Sequence, residues 1–168
     1  LKRNLITAEH VHGKTGLDGT ELLVEKKELE LKSAVDFIID CAEKYKDEKI
    51  TICALGPLTN IAKVLTKNPR VTESIKEIIL MGGGFFEGGN ITPAAEFNIY
   101  VDPEAAKIVL ESGVKITMLP LDVTHKTLVQ RDFLERLRGS GKNSAIQAAK
   151  LLDFFERYDI EKYGSQGG

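Results

Sequence analysis

Long apolar runs are missing from this 168-residue chain. No stretch approaches the roughly 18 consecutive apolar residues of a membrane-spanning helix, and the basic start LKRNLITAEH has no apolar stretch of the kind found in a secretory signal peptide. A cytoplasmic protein with no membrane partner is the expectation, although the first residue is Leu rather than Met. Blocks of like charge are missing too. The 23 basic and 25 acidic residues are interspersed and leave a formal net charge of −2, so nothing marks a nucleic-acid or anionic-lipid surface. A small neutral or weakly charged ligand suits this balance better. Cysteine is scarce: Cys41 and Cys53 sit in apolar contexts without a CxxC or Cys/His spacing, which argues against zinc and against a redox pair. Two buried free thiols are expected.

What is present is an alternation of two periodicities. With 42% hydrophobic and 29% charged residues, the composition fits one globular domain with a sizeable core. In KSAVDFIIDCAEKY, Ala34, Val35, Phe37, Ile38, Cys41 and Ala42 recur at helical spacing with charges opposite. KITICAL then reads as a buried strand closed by Gly56-Pro57, and LTNIAKVLTKNP as a helix that stops at Pro69. The unit repeats: IKEIILMGGG is a strand ending in glycines. DPEAAKIVLESG is a helix with Asp102 as N-cap, Pro103 in the first turn and Gly113 as stop, and VKITMLPLD is a third strand. QRDFLERLRG and SAIQAAKLLDFFERYDIEKYG read as a short and a long helix. This order predicts an α/β fold, a Rossmann-like, mostly parallel sheet flanked by helices.

In such sheets ligands gather outside the carboxyl ends of the strands, which directs attention to the loops GPLTN, MGGGFFEGGNITPAAEFN and PLDVTHK. The glycine cluster of the second loop matches neither GxGxxG nor GxxxxGK[ST], so a dinucleotide or P-loop site is disfavoured. Its glycines either permit positive φ angles or let a ligand approach the backbone. Glu96 and Asn98 lie two apart across Phe97, and in extended backbone they would point the same way. A carboxylate that accepts and a carboxamide that both donates and accepts suit a vicinal diol such as ribose, with Asn90 as a further contact. An equal alternative is that Asn90 serves turn geometry and Glu96 or Asn98 is a solvated or capping group. His10 and His12 form an HxH pair without a third metal ligand at a recognisable spacing; a lone histidine contacting substrate and a histidine hydrogen-bonded within a turn both remain open. His125 reads as a strand-end structural residue.

Taken together and in order, HGKTGLDG, ALGPLTNIA, LMGGGFFEGGNITPAAEFNIYVDPEAA and LPLDVTH resemble the inosine-uridine preferring nucleoside hydrolase family, from about Ala8 to His125. The resemblance implies a Rossmann-like enzyme that cleaves the N-glycosidic bond of ribonucleosides with water, uses a tightly held calcium ion and assembles as a homo-oligomer, a dimer or tetramer. By matching motif, Asn90, Glu96 and Asn98 resemble the ribose-binding residues and Met81 the methionine bordering the sugar. His12 resembles a histidine beside the nucleobase, and Leu55 the position whose main-chain carbonyl binds calcium. Asn60 reads as structural.

The family's amino-terminal D-x-D-P-G-x-D-D motif and carboxyl-terminal His-Asp-Pro segment, which supply the general base and most calcium carboxylates, have no match here. Residues 1–168 are therefore expected to be the central part of a single nucleoside hydrolase domain, inactive alone because one carbonyl cannot hold calcium. The alternative is a noncatalytic sugar- or nucleoside-binding remnant. Exposed sheet edges and helix faces would make such a segment marginally stable or prone to associate.

Overall fold

A computed structural model describes residues 4–20 and 31–164. In chain order the elements are α1 (Glu9–His12), α2 (Ala34–Lys44), β1 (Ile50–Ala54), α3 (Thr59–Lys67), a 3₁₀ turn (Pro69–Ser74), β2 (Ile75–Met81), α4 (Phe97–Val101), α5 (Pro103–Leu110), β3 (Ile116–Leu119), α6 (Leu121–Thr124), α7 (Arg131–Gly139) and α8 (Asn143–Tyr163). The described residues fall into two compact units, one of residues 4–5 and 31–124 and one of residues 6–20 and 125–164.

The first unit is built on a parallel sheet of order β1-β2-β3. Alternation along β2 puts Ile78 and Leu80 on one face, where they join Ile39 and Ala42 of α2, Ile61, Ala62, Val64 and Leu65 of α3, and Ala105, Ala106 and Val109 of α5. Helical spacing in α3 brings its four apolar side chains to the sheet side. The starts of α2 and α5 carry side-chain caps, that of α5 by the Asp102 the sequence predicts. Ser33 Oγ accepts from the Asp36 N–H at 3.2 Å, and Asp102 Oδ1 accepts from the Ala105 N–H at 3.1 Å, with Pro103 in the first turn. The buried Asp102 has a second task, since the Thr59 hydroxyl donates to its Oδ2 at 2.6 Å and ties the start of α3 to the start of α5.

Among the described residues of this unit, α2, α3 and α5 pack on one face of the sheet. Thr51, Cys53, Thr117 and Leu119, which alternate with the core-facing positions, are exposed. The expectation of two buried thiols is therefore corrected: Cys53 is exposed and Cys41 half-buried. An apolar strand such as KITICAL looks the same in sequence whether one face is covered or two.

In the second unit α7 and α8 form a helical hairpin, with Leu134 and Ala149 buried and Arg138 Nη2 paired with Asp153 Oδ2 at 2.5 Å. The short α1 packs on α8 through two ring contacts, His10 edge-on to Tyr158 with centroids 5.8 Å apart and His12 stacked on Phe155 at 5.6 Å. No helix of the described residues is long and apolar enough to cross a membrane.

Asp159 of α8 is 6% exposed, and its Oδ2 has no hydrogen-bond partner among the described residues. Burial pushes its carboxyl above the ordinary aspartate value, Glu156 adds to the rise, and the charges of His125 and Lys162 oppose it. A folded-state value above the unfolded one favours folding below the ordinary aspartate range, and that contribution is lost as pH rises through the folded value. Asp159→Asn is accordingly expected to raise the thermal midpoint at neutral pH, on the order of 1 kcal/mol, with the gain vanishing in acid. A gain that persists unchanged at low pH would assign the effect to something other than the charge.

Candidate functional site

The three parallel strands deliver their carboxyl ends to one edge of the sheet: Ala54 pairs with Leu80, and Met81 with Leu119. Leu55 follows the last paired residue of β1 at this edge. Leu55 is 84% exposed. This is the edge at which α/β sheets present their loops to ligands.

Four sequence-selected residues meet there. Asn98 Nδ2 donates to the Met81 carbonyl at 3.1 Å and lies 3.2 Å from Met81 Sδ. Those contacts fix the orientation of the carboxamide, because only its nitrogen can donate. Oδ1 consequently points away from Met81, and no described residue donates to it. Glu96, 3% exposed, accepts from three amides: Asn98 N–H on Oε1 at 2.9 Å, and Ile99 N–H and Gly83 N–H on Oε2 at 3.2 and 3.0 Å. Asn90 Oδ1 accepts from the Phe97 N–H at 2.8 Å.

This geometry replaces the expected extended pairing of Glu96 and Asn98 across Phe97. Glu96 is extended (φ −80°, ψ 146°), but it caps α4, and Asn98 lies inside that helix. Residues two apart no longer share a side once the second is helical. The carboxylate itself drives the change, since it satisfies the otherwise unpaired amides of the first turn. The capping reading of Glu96 and the turn reading of Asn90 thus describe bonds that exist, and they leave Asn98 Oδ1 with no donor among the described residues.

The glycines of this loop serve its own packing. Gly83 adopts φ +74°, and a Cβ there would lie 2.9 Å from Met118 Cε. Its N–H goes to Glu96, and its carbonyl accepts from the Leu121 N–H at 2.9 Å. Beyond it, the N–H groups of Phe85 and Phe86 both donate to Asp122, each at 2.8 Å. Asp122 was not singled out by sequence reading. Its only signal is an aspartate opening α6 two residues after Pro120 in PLDVTH, and that resembles an ordinary helix start.

His12 and His125 belong to the second unit, where His12 stacks on Phe155. A separate apolar groove of about 450 Å³ in the first unit is lined by residues of α2, α3 and α5, among them Val35, Ala62, Thr66 and Ile108. The polar side chains of the loop site do not line it. Among the described residues no group of three or more His, Cys, Asp or Glu side chains could hold a metal ion. Calcium takes about six to eight oxygen ligands, and the described residues alone supply no carboxylate set of that kind beside the Leu55 carbonyl.

Comparison with known proteins bears on the same motifs. The family model described as inosine-uridine preferring nucleoside hydrolase matches residues 1–168. An uncharacterized protein of Schizosaccharomyces pombe is 46% identical over 168 residues, covering 100% of this chain and 54% of the relative. A pyrimidine-specific ribonucleoside hydrolase, RihA, of Enterobacter sp. (strain 638) is 45% identical, covering 99% and 53%. The solved structure of a purine-preferring ribonucleoside hydrolase from Gardnerella vaginalis superposes with a TM-score of 0.89 at 35% identity, over 95% of this chain and 50% of that one. The chain spans about half the length of the curated relatives it matches.

Proposed function

Because the chain belongs to the inosine-uridine preferring nucleoside hydrolase family, we propose that residues 1–168 are the central part of one hydrolase domain and carry its ribose-binding loop, the whole enzyme cleaving the N-glycosidic bond of ribonucleosides. The observation that carries this reading is the fixed carboxamide of Asn98, clamped to Met81 at the carboxyl edge of the sheet with no described residue donating to its Oδ1. The relatives named above include a pyrimidine-specific and a purine-preferring hydrolase, so the ligand group common to them is the sugar.

Each polar group has a role that its remaining bonding capacity permits. Asn98 Oδ1 accepts from one ribose hydroxyl. Glu96 Oε1, with one amide already bound, accepts from the adjacent hydroxyl. Asn90 holds the start of α4 through Phe97 and borders the sugar. Met81 supplies the wall behind Asn98; for His12 a nucleobase contact is proposed on its place in the family motif alone. Glycosidic cleavage passes through an oxocarbenium-like state. Acceptors already oriented toward sugar hydroxyls favour that state, because contacts that tighten as the ring distorts lower the barrier.

For the whole enzyme we propose, on the family resemblance, calcium with the Leu55 carbonyl as one of its ligands, and assembly as a homo-oligomer. The described residues do not offer a complete ligand set for the ion, so no catalytic step is assigned to it. By itself the chain is proposed to hold ribose without hydrolysing nucleosides. Calorimetry with ribose and with inosine, each with and without calcium, is expected to give ribose binding that is insensitive to calcium, lost in Asn98→Leu, and unaccompanied by release of free base. Failure of the wild-type chain to bind ribose would overturn the sugar-site reading. Calcium-dependent binding would instead show that the metal site is complete.

A further inference from the structure

We propose that Asp122 is the positioning residue of the sugar-facing glycine loop: by receiving the consecutive N–H groups of Phe85 and Phe86, it holds the turn that sets Gly83 against Glu96. The inference rests on the sugar-site reading above. It starts from an imbalance in the loop.

Residues 84–87 are all exposed, and Phe85 and Phe86 are 72% and 98% exposed. Two large aromatic side chains therefore add almost no apolar burial, the usual means of fixing a chain segment. The backbone is nevertheless anchored. Asp122, 36 and 37 residues further on, accepts one N–H on each carboxylate oxygen, Phe85 on Oδ2 and Phe86 on Oδ1, both at 2.8 Å. Short bonds to an ionised acceptor are the strong class of hydrogen bond. Two of them on adjacent amides also fix direction, because consecutive N–H groups converge only in a turn.

The anchor connects to the sugar-facing groups through covalent neighbours. Leu121, beside Asp122, donates its N–H to the Gly83 carbonyl, and Gly83 donates to Glu96 Oε2. Glu96 in turn caps the helix that carries Asn98. Gly83 is thus held from both sides, by the start of α6 and by the cap of α4. Release of the Phe85-Phe86 turn leaves the Leu121 bond as the hold on Gly83 from the α6 side and loosens Gly83 against Glu96.

A catalytic-base role for Asp122 is disfavoured by the same bonds. Both oxygens face loop amides, and those amides hold its carboxyl below the usual aspartate range, the Phe85 N–H first and the Phe86 N–H next. A carboxylate so stabilised is a poor proton acceptor.

The test compares Asp122→Ala, Asp122→Asn and Asp122→Glu with wild type in the 168-residue chain, by amide hydrogen exchange and by ribose titration followed in ¹H–¹⁵N spectra. Asp122→Ala is expected to speed exchange at Phe85 and Phe86 by roughly 10-fold or more, to carry a smaller acceleration to Gly83, and to weaken ribose binding. Asp122→Asn, which keeps one acceptor oxygen, falls between. Asp122→Glu restores slow exchange and ribose affinity together, a rescue that a general loss of stability would not show. Unchanged exchange at Phe85 and Phe86 in Asp122→Ala overturns the clamp, whether or not ribose binds. Faster exchange with unchanged ribose affinity overturns the positioning role. Absence of ribose binding in wild type overturns the sugar-site reading and the role built on it, while the exchange data still report separately on the clamp.

Discussion

Glu96→Ala is expected to abolish ribose binding and to release both the glycine loop and the start of α4. Three backbone amides, those of Gly83, Asn98 and Ile99, lose their acceptor at once. Each lies in a partly buried setting where an unsatisfied group costs about 1–3 kcal/mol. Partial rehydration of the opened loop offsets some of this, so a net loss on the order of 2–4 kcal/mol is expected. Glu96→Gln separates shape from charge. Its carbonyl oxygen can still take one or two of the amides, but its NH₂ meets a backbone N–H donor to donor. The stability loss should be about half that of the alanine variant, while ribose affinity falls nearly as far, since the acceptor proposed for the second hydroxyl becomes a donor. Thermal unfolding and calorimetric titration of the same samples check this. Equal ribose affinity in wild type and Glu96→Gln would remove Glu96 from the sugar contacts and leave it only the cap.

The reason Glu96 carries so much also explains what the sequence does and does not reveal. The three parallel strands and their helices are readable because the relevant signals are local. Residues 78–81 of β2 are a continuous apolar run that ends in glycines, Asp102-Pro103 is a cap followed by the residue that tolerates having no N–H, and Pro69 ends the α3 pattern. Helix α4 is not readable in the same way. FNIYV is β-branched and aromatic, a composition that favours strand, and it becomes helical because a carboxylate anchored to Gly83, 13 residues earlier, caps it. The exposure of Cys53 likewise depends on which sheet face the helices cover, and apolar periodicity does not contain that information. At the site, the residue types are informative but their directions are not. Asn98 and Glu96 stand out as polar groups at a strand-edge loop, whereas the orientation of the Asn98 carboxamide is set by the Met81 carbonyl from another element. Asp122 is invisible from sequence because its partners are main-chain amides, which every residue but proline possesses.

The glycines carry the second large expected effect. Gly89→Ala should destabilise the chain by about 2 kcal/mol or more and weaken ribose binding, although Gly89 contacts none of the proposed sugar ligands through a side chain. A Cβ at this position would lie 2.3 Å from the Ala95 nitrogen, the Ala95 oxygen and the Thr92 oxygen. All three are backbone atoms, so no side-chain rotation relieves the overlap. The turn cannot widen cheaply either, because Gly89 N–H donates to the Pro93 carbonyl at 3.0 Å and Ile91 N–H to the Ala95 carbonyl at 3.2 Å. Relief must come from moving residues 89–95 as a unit. Asn90 then leaves the Phe97 N–H, and the first turn of α4 loses a restraint next to Asn98. Gly139 provides the control, since a Cβ there meets nothing within 4 Å and the residue ends α7. Gly139→Ala is expected to be neutral or stabilising by up to about 1 kcal/mol, through helix propensity and reduced freedom of the unfolded chain. Urea midpoints and ribose titrations of the two variants should therefore diverge in opposite directions. A Gly89→Ala protein with wild-type stability and affinity would mean that the loop can repack around a methyl group, and the link from the glycine turn to Asn98 would fall with it.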